Sequence, residues 1–168
     1  VGGFTQYDNR GLPVKSYLPI FTSNDLNTLD TIDSSTPFVQ KIYDAMGRAV
    51  RVNNPDGTYI TKEYDQWTST TIDENGHKNK SYADAFGRLI KKEEYMGADG
   101  RASDYPVTPY TLYATTNYSY DALGRLLSVR DAHNNITTIQ YDNLGRKIGM
   151  NDPDMGHWQY EYDGNGNL

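Results

Sequence analysis

Apolar residues in this chain fall into short runs with a period of two, and each run is bracketed by glycine, asparagine and aspartate. Counted from the arginines at 48, 125 and 146, the second and fourth residues are Val50 and Val52, Leu127 and Val129, and Ile148 and Met150. After Arg88 the same positions hold Ile90 and Lys92. Alternation that stays in register from copy to copy predicts half-buried β-strands with the second and fourth residues on one face. A returning strand precedes each copy, where Tyr118 shares a face with Tyr120, Ile139 with Tyr141 and Tyr160 with Tyr162. Lys41 before Tyr43 and Lys62 before Tyr64 break that rule. Thr, Tyr, Asn and Gly dominate, and no stripe of period 3.6 appears, so helix is not predicted.

The strands are punctuated by a repeated hexad, Tyr-Asp-X-X-Gly-Arg. Copies start at Tyr7, Tyr43, Tyr120, Tyr141 and Tyr162, with a degenerate one at Ala83; Tyr64 keeps only the Tyr-Asp. The intervals from 43 to 64, 120 to 141 and 141 to 162 are each 21 residues. A second turn signal falls midway in each unit, in the stretches NPDG at 54–57, DENG at 73–76, DAHNN at 131–135 and DPDMG at 152–156. Asp-Gly and Asn-Gly pairs supply the positive φ angles and local hydrogen bonds of tight turns. Each unit therefore reads strand, turn, strand, turn, and the chain is an all-β series of antiparallel hairpins of about 21 residues that add edge to edge into one long, curved sheet.

The hexad residues carry the repeat, and the candidate structural motif is Tyr43, Asp44, Gly47 and Arg48; Tyr120, Asp121, Gly124 and Arg125; Tyr141, Asp142, Gly145 and Arg146; and Tyr162 with Asp163. The aspartate is expected to accept hydrogen bonds from the N–H groups of its turn, and the glycine to take a left-handed angle. The tyrosine ring is expected to pack on the core side, and the arginine to pair with an acid of a neighbouring unit. Departures at Ala83, Tyr64 and Arg10-Gly11 predict irregular pairing there. Two stretches, 12–40 and 95–110, contain prolines and interrupt the period, so they are expected to be insertions from the ribbon. The final YDGNGNL resembles a fresh copy cut short, and the whole of 1–168 reads as a piece of a longer protein.

Charge narrows the function classes. With 22 acidic against 16 basic residues the net charge is -6, and no basic run exceeds Lys91-Lys92, which argues against a nucleic-acid face. The absence of cysteine removes disulfides, thiolate zinc sites and thiol catalysis. No apolar run approaches the roughly 20 residues of a spanning helix.

The hexad followed by a mid-unit turn at a 21-residue period resembles the RHS or YD repeat family, and YDAMGRAVRVNNPDGTY at 43–59 resembles the repeats of the B and C components of insecticidal toxin complexes. The resemblance covers 42–168, with an outlying copy at 7–12. It implies a β-ribbon forming the wall of a hollow shell that encloses a C-terminal toxin polypeptide, in a secreted or cell-surface bacterial protein. Its partners would be neighbouring repeats, the enclosed polypeptide and other toxin-complex subunits. The alternative is a surface adhesion or carbohydrate-binding module, in which rows of tyrosine would stack on glycans.

Other candidate chemistry reduces to turn chemistry. His77, His133 and His157 fall in or beside turns, without metal-ligand spacing. Asp163, Asn165 and Asn167 have the alternation of a calcium loop, but the same letters make a turn. Acid pairs such as Glu93 with Glu94 and Asp152 with Asp154 would suit hydrolysis only if they converged. The sequons at Asn79, Asn117 and Asn135 are coincidences of a Thr- and Asn-rich repeat. No catalytic residue, cofactor or metal is expected.

Overall fold

The computed structural model describes residues 4–19 and 35–168. Thirteen strands are found among them. The first five are β1 (Thr5–Tyr7), β2 (Pro13–Tyr17), β3 (Phe38–Tyr43), β4 (Ala49–Asn53) and β5 (Tyr59–Asp65). The next four are β6 (Thr68–Ile72), β7 (Lys78–Ala83), β8 (Leu89–Ala98) and β9 (Thr108–Tyr120). The last four are β10 (Leu126–Arg130), β11 (Ile136–Tyr141), β12 (Lys147–Asp152) and β13 (Gly156–Gln159). Their order in the sheet is their order in the chain, with neighbours hydrogen-bonded throughout, and no described residue is helical. This is the all-β succession of hairpins that the period of two and the turn signals predict.

One detail of the predicted alternation is wrong. At each hexad the register slips by one residue: Tyr43 pairs with Ala49 but Ile42 pairs with Arg51, leaving Val50 without a partner. The same slip leaves Ile90, Leu127 and Ile148 unpaired in β8, β10 and β12. The extra residue, two positions after the arginine, makes a β-bulge in the outgoing strand and resets the in-out alternation. The tyrosine face therefore carries the first and fourth residues after the arginine, not the second and fourth. Tyr118 lies opposite Val129 and Tyr120 opposite Leu126. Ile139, Met150 and Trp158 form a row across β11, β12 and β13. Such cross-strand neighbours are worth roughly 0.2–1 kcal/mol each.

The sheet is a single layer, so burial is shallow. Among the described residues Ala98 is the only buried apolar side chain. Every position of β2, β4, β6 and β7 is half-buried, whereas every position of β13 is exposed. By contacts, the chain divides into one unit of Val1–Glu63, Thr71–His77 and Ala98–Thr108, and a second of Tyr64–Thr70, Lys78–Gly97 and Pro109–Leu168. In the first, the rings of Phe4, just before β1, Tyr17 in β2 and Phe38 in β3 pack in tilted pairs at centroid distances of 5.8 and 5.2 Å.

Strands reach into both stretches expected to be insertions. Within 12–40, Pro13–Tyr17 is β2 and Phe38 opens β3, while positions 20–34 lie outside the described residues. Pro13 stands first in its strand, where its missing N–H costs no ladder bond. Within 95–110, Tyr95 to Ala98 finish β8 and Thr108 starts β9, so only the intervening residues loop out.

Candidate functional site, a ladder of turns

A single five-residue construction closes hairpins at both edges. At 8–12, 44–48, 54–58, 73–77, 84–88, 121–125, 131–135, 142–146 and 163–167, the first N–H donates to the fifth carbonyl and the fourth N–H to the first carbonyl, at 2.9 to 3.2 Å. The fourth residue has positive φ in every case; it is glycine except at Asn134, where φ is 65°. In the hexads, Oδ1 of the aspartate accepts the third and fifth N–H groups, as Asp121 does from Leu123 and Arg125 at 2.9 Å. Its Oδ2 accepts Nε of the arginine, at 2.6 Å for Arg125 and 2.7 Å for Arg146. The hexad therefore repeats because its aspartate has three donors to satisfy at fixed offsets.

These bonds hold the hexad aspartates below the usual carboxylate range. For Asp44 and Asp121 the largest cause is the backbone N–H of the arginine. For Asp84 and Asp142 partial burial opposes the shift most, and the arginine side chain and backbone overcome it. Asn135 and Asn167 place an amide where the arginine would be, donating to Asp131 and Asp163 at 2.8 and 3.0 Å. Asp163 is thus occupied by its own turn, which accounts for the alternation that resembled a calcium loop.

Successive hexads are joined by two further contacts. Nη1 of Arg10 donates to the carbonyl of Asp44 at 3.0 Å, that of Arg88 to Asp121 at 3.1 Å, and that of Arg125 to Asp142 at 3.0 Å. In the other direction the tyrosine hydroxyl donates to the residue after the preceding turn. Tyr43 reaches Pro13 at 2.9 Å, Tyr120 reaches Leu89 at 2.8 Å, Tyr141 reaches Leu126 at 3.1 Å and Tyr162 reaches Lys147 at 2.9 Å. The guanidinium groups of Arg88, Arg125 and Arg146 lie 4.7 to 5.0 Å from the centroids of the next tyrosine rings. Each such contact adds about 0.5–1 kcal/mol. The expected pairing of arginine with a neighbour's acid is corrected here: its acid is its own aspartate, and the neighbour contributes a backbone carbonyl.

The departures from the motif behave less irregularly than their letters suggest. Ala83 heads a turn whose Asp84, Gly87 and Arg88 make every standard bond. At the first copy Gly11 holds the usual glycine place with φ 77°, and Arg10 reaches Asp8 from one residue earlier. After Tyr64 the turn is instead a two-residue link, with Gln66 at φ 47°.

Two contributors escaped the sequence reading. Arg101 lies inside the expected insertion, yet its side chain is only 7% exposed. It donates to the carbonyls of Tyr59 and Asp73 at 3.0 and 3.2 Å, holds Asp99 through Nε at 2.9 Å, and lies 4.3 Å from the Tyr59 ring centroid. The triplet Asp99-Gly100-Arg101 was the available signal, since it compresses the hexad's Asp and Gly-Arg. Glu93 is the second: it takes Lys91 at 2.9 Å and the hydroxyls of Tyr82 and Tyr95 at 2.7 and 2.8 Å. Lys91, then Tyr82, hold its carboxyl down from the usual 4.5 to about 2, and Glu93 in turn pushes the Tyr95 hydroxyl up to about 12.

The candidate catalytic groupings do not assemble. Glu93 and Glu94 are adjacent in one strand and point to opposite faces, each bound to its own lysine. Asp152 accepts Thr137 and two N–H groups of its turn, one of them from Asp154. His77 packs edge-on against Tyr105 at 4.6 Å, His133 donates its N–H to Asp131, and His157 lies in β13. Among the described residues no three His, Asp or Glu side chains are grouped to hold a metal.

A one-layer sheet of hairpins, stitched turn to turn by tyrosine, aspartate and arginine, defines a structural repeat protein. The RHS Repeat family model matches residues 115–154, the stretch holding the copies at Tyr120 and Tyr141. No curated protein sequence matches the chain. The fold is similar to that of two solved TcdB2-TccC3 structures. The crystal structure of TcdB2-TccC3 without its hypervariable C-terminal region is similar over 97% of this chain, with TM-score 0.77 and 20% identity. The crystal structure of TcdB2-TccC3 is similar over 98%, with TM-score 0.76 and 21% identity. In each case the chain spans 9% of the length of the solved chain.

Proposed function

We propose that this segment is a structural, non-catalytic section of the wall of an RHS shell that encloses a toxin polypeptide in a secreted bacterial protein. The observation that carries the reading is the ladder itself: the hexads headed by Ala83, Tyr120 and Tyr141 are joined in succession through Arg and Tyr rather than to a core, an arrangement that extends a sheet without thickening it. Likeness of fold to TcdB2-TccC3 supports the same reading. The partners it implies are the neighbouring repeats, the enclosed C-terminal polypeptide and other toxin-complex subunits. A glycan-binding module would need free tyrosine faces, whereas the hydroxyls of Tyr43, Tyr120, Tyr141 and Tyr162 are each committed to a neighbouring hairpin.

The test is limited proteolysis of the longer protein containing this segment, with mass spectrometry of the survivors before and after denaturation. A C-terminal fragment that is cleaved from the chain, stays associated and resists protease until the shell unfolds supports enclosure. A single uncleaved chain with nothing protected overturns it.

A further inference from the structure

The two defective copies of the repeat meet at one place. Ala83 pairs with Leu89 as Tyr120 pairs with Leu126 and Tyr141 with Lys147, so its Cβ stands where a hexad tyrosine begins. In the regular copies that ring crosses to the preceding hairpin and is met there by an arginine and a carbonyl. At Ala83 the ring is missing, and the preceding hairpin, β5–β6, has lost its Gly-Arg as well. Ala83 keeps only the backbone bond, donating its N–H to the Trp67 carbonyl at 2.7 Å.

What remains is a groove of about 320 Å³ lined by Tyr64, Trp67, Ser69, Ser81, Ala83 and Leu89, among others. A cavity of about 150 Å³ with apolar walls is enough to hold benzene. The walls here combine aromatic and aliphatic surface with two serine hydroxyls, as a ring with one polar end requires. Trp67, 57% exposed, contributes an aromatic face beside the place the arginine has vacated.

We propose that this groove is a binding site for a tyrosine side chain presented by another polypeptide segment, which would occupy the place that the repeat's own tyrosine fills elsewhere. The occupant is specified by the repeat: four other copies show which side chain this space accommodates and that its hydroxyl is met by a hydrogen bond. The site is independent of the wall reading, because it follows from a gap in the ladder and not from what the sheet encloses.

The probe is N-acetyl-L-tyrosinamide, titrated into the Trp158→Phe chain so that Trp67 is the sole tryptophan reporter. The expected result is a saturable change in Trp67 fluorescence that N-acetyl-L-leucinamide does not reproduce and that Ala83→Tyr abolishes by filling the groove. Ala83→Phe serves as a second filler, and circular dichroism establishes that each variant is folded. A response that is linear in the parent chain, equal for the leucine probe, or undiminished in a folded filler variant overturns the proposal.

Discussion

Replacing Gly145 with valine isolates the backbone requirement of the hexad turn. Gly145 has φ of +82°, and a Cβ added to it would meet nothing nearer than Nη1 of Arg125 at 3.9 Å, an ordinary contact. The cost is therefore conformational rather than steric. A left-handed angle costs an L residue roughly 1–2 kcal/mol, and a β-branched side chain lies at the upper end of that range. The restricted unfolded chain offsets about 0.4–1 kcal/mol, leaving a net loss of about 1–1.6 kcal/mol. With a urea slope of about 2 kcal/mol/M, the midpoint falls by roughly 0.5–1 M. Gly145→Asn is the discriminating control, because Asn134 already occupies the same place in its turn at φ 65°. Its midpoint is expected to fall by less than half as much. Equal midpoints for the valine variant, the asparagine variant and the parent chain would refute the left-handed account of the hexad.

Other perturbations read the ladder directly. Tyr141→Phe removes one hydrogen bond, to Leu126, and should cost about 1 kcal/mol in the same denaturation assay; an unchanged midpoint would deny the contact any energetic role. Arg101→Ala should release the loop between β8 and β9, seen as faster cleavage between Asp99 and Val107 by a low dose of protease, whereas an unchanged cleavage rate would count against the clasp. Acid should weaken the sheet. Glu93 and the turn aspartates have folded pKa values below their unfolded ones, so their stabilisation is complete above about pH 4.5 and is lost as pH falls toward 2. Midpoints that stay flat from pH 6 to pH 2 would contradict that sign. Glu93→Gln should flatten part of this dependence, since it removes the carboxylate most strongly displaced.

Strands and turns were legible because both are local. The period of two between arginine-headed runs marks half-buried strands, and Asp with Gly three residues on marks a turn whatever the rest of the chain does. The bulge was not legible from alternation alone. Val50 and Val52 look like one face until Val50 is left unpaired as the extra residue of a bulge, and then Ala49 and Val52 share the face with Tyr43. Arg101 was not legible for a related reason: prolines and a broken period suggested an insertion, while its guanidinium reaches carbonyls 28 and 42 residues away.

The sequence by itself determined that this chain is all-β, that it is built of hairpins recurring at about 21 residues, and that Asp and Gly recur in its turns. Those properties depend on φ angles and hydrogen-bond offsets within five residues, so they repeat wherever the letters do. Tertiary structure decided what the letters do to one another. It is the spacing between adjacent hairpins that lets Arg125 reach the Asp142 carbonyl and Tyr141 return to Leu126. The same spacing turns two defective copies, at Tyr64 and Ala83, into one groove, because a missing ring leaves space only where a neighbouring strand forms its far wall.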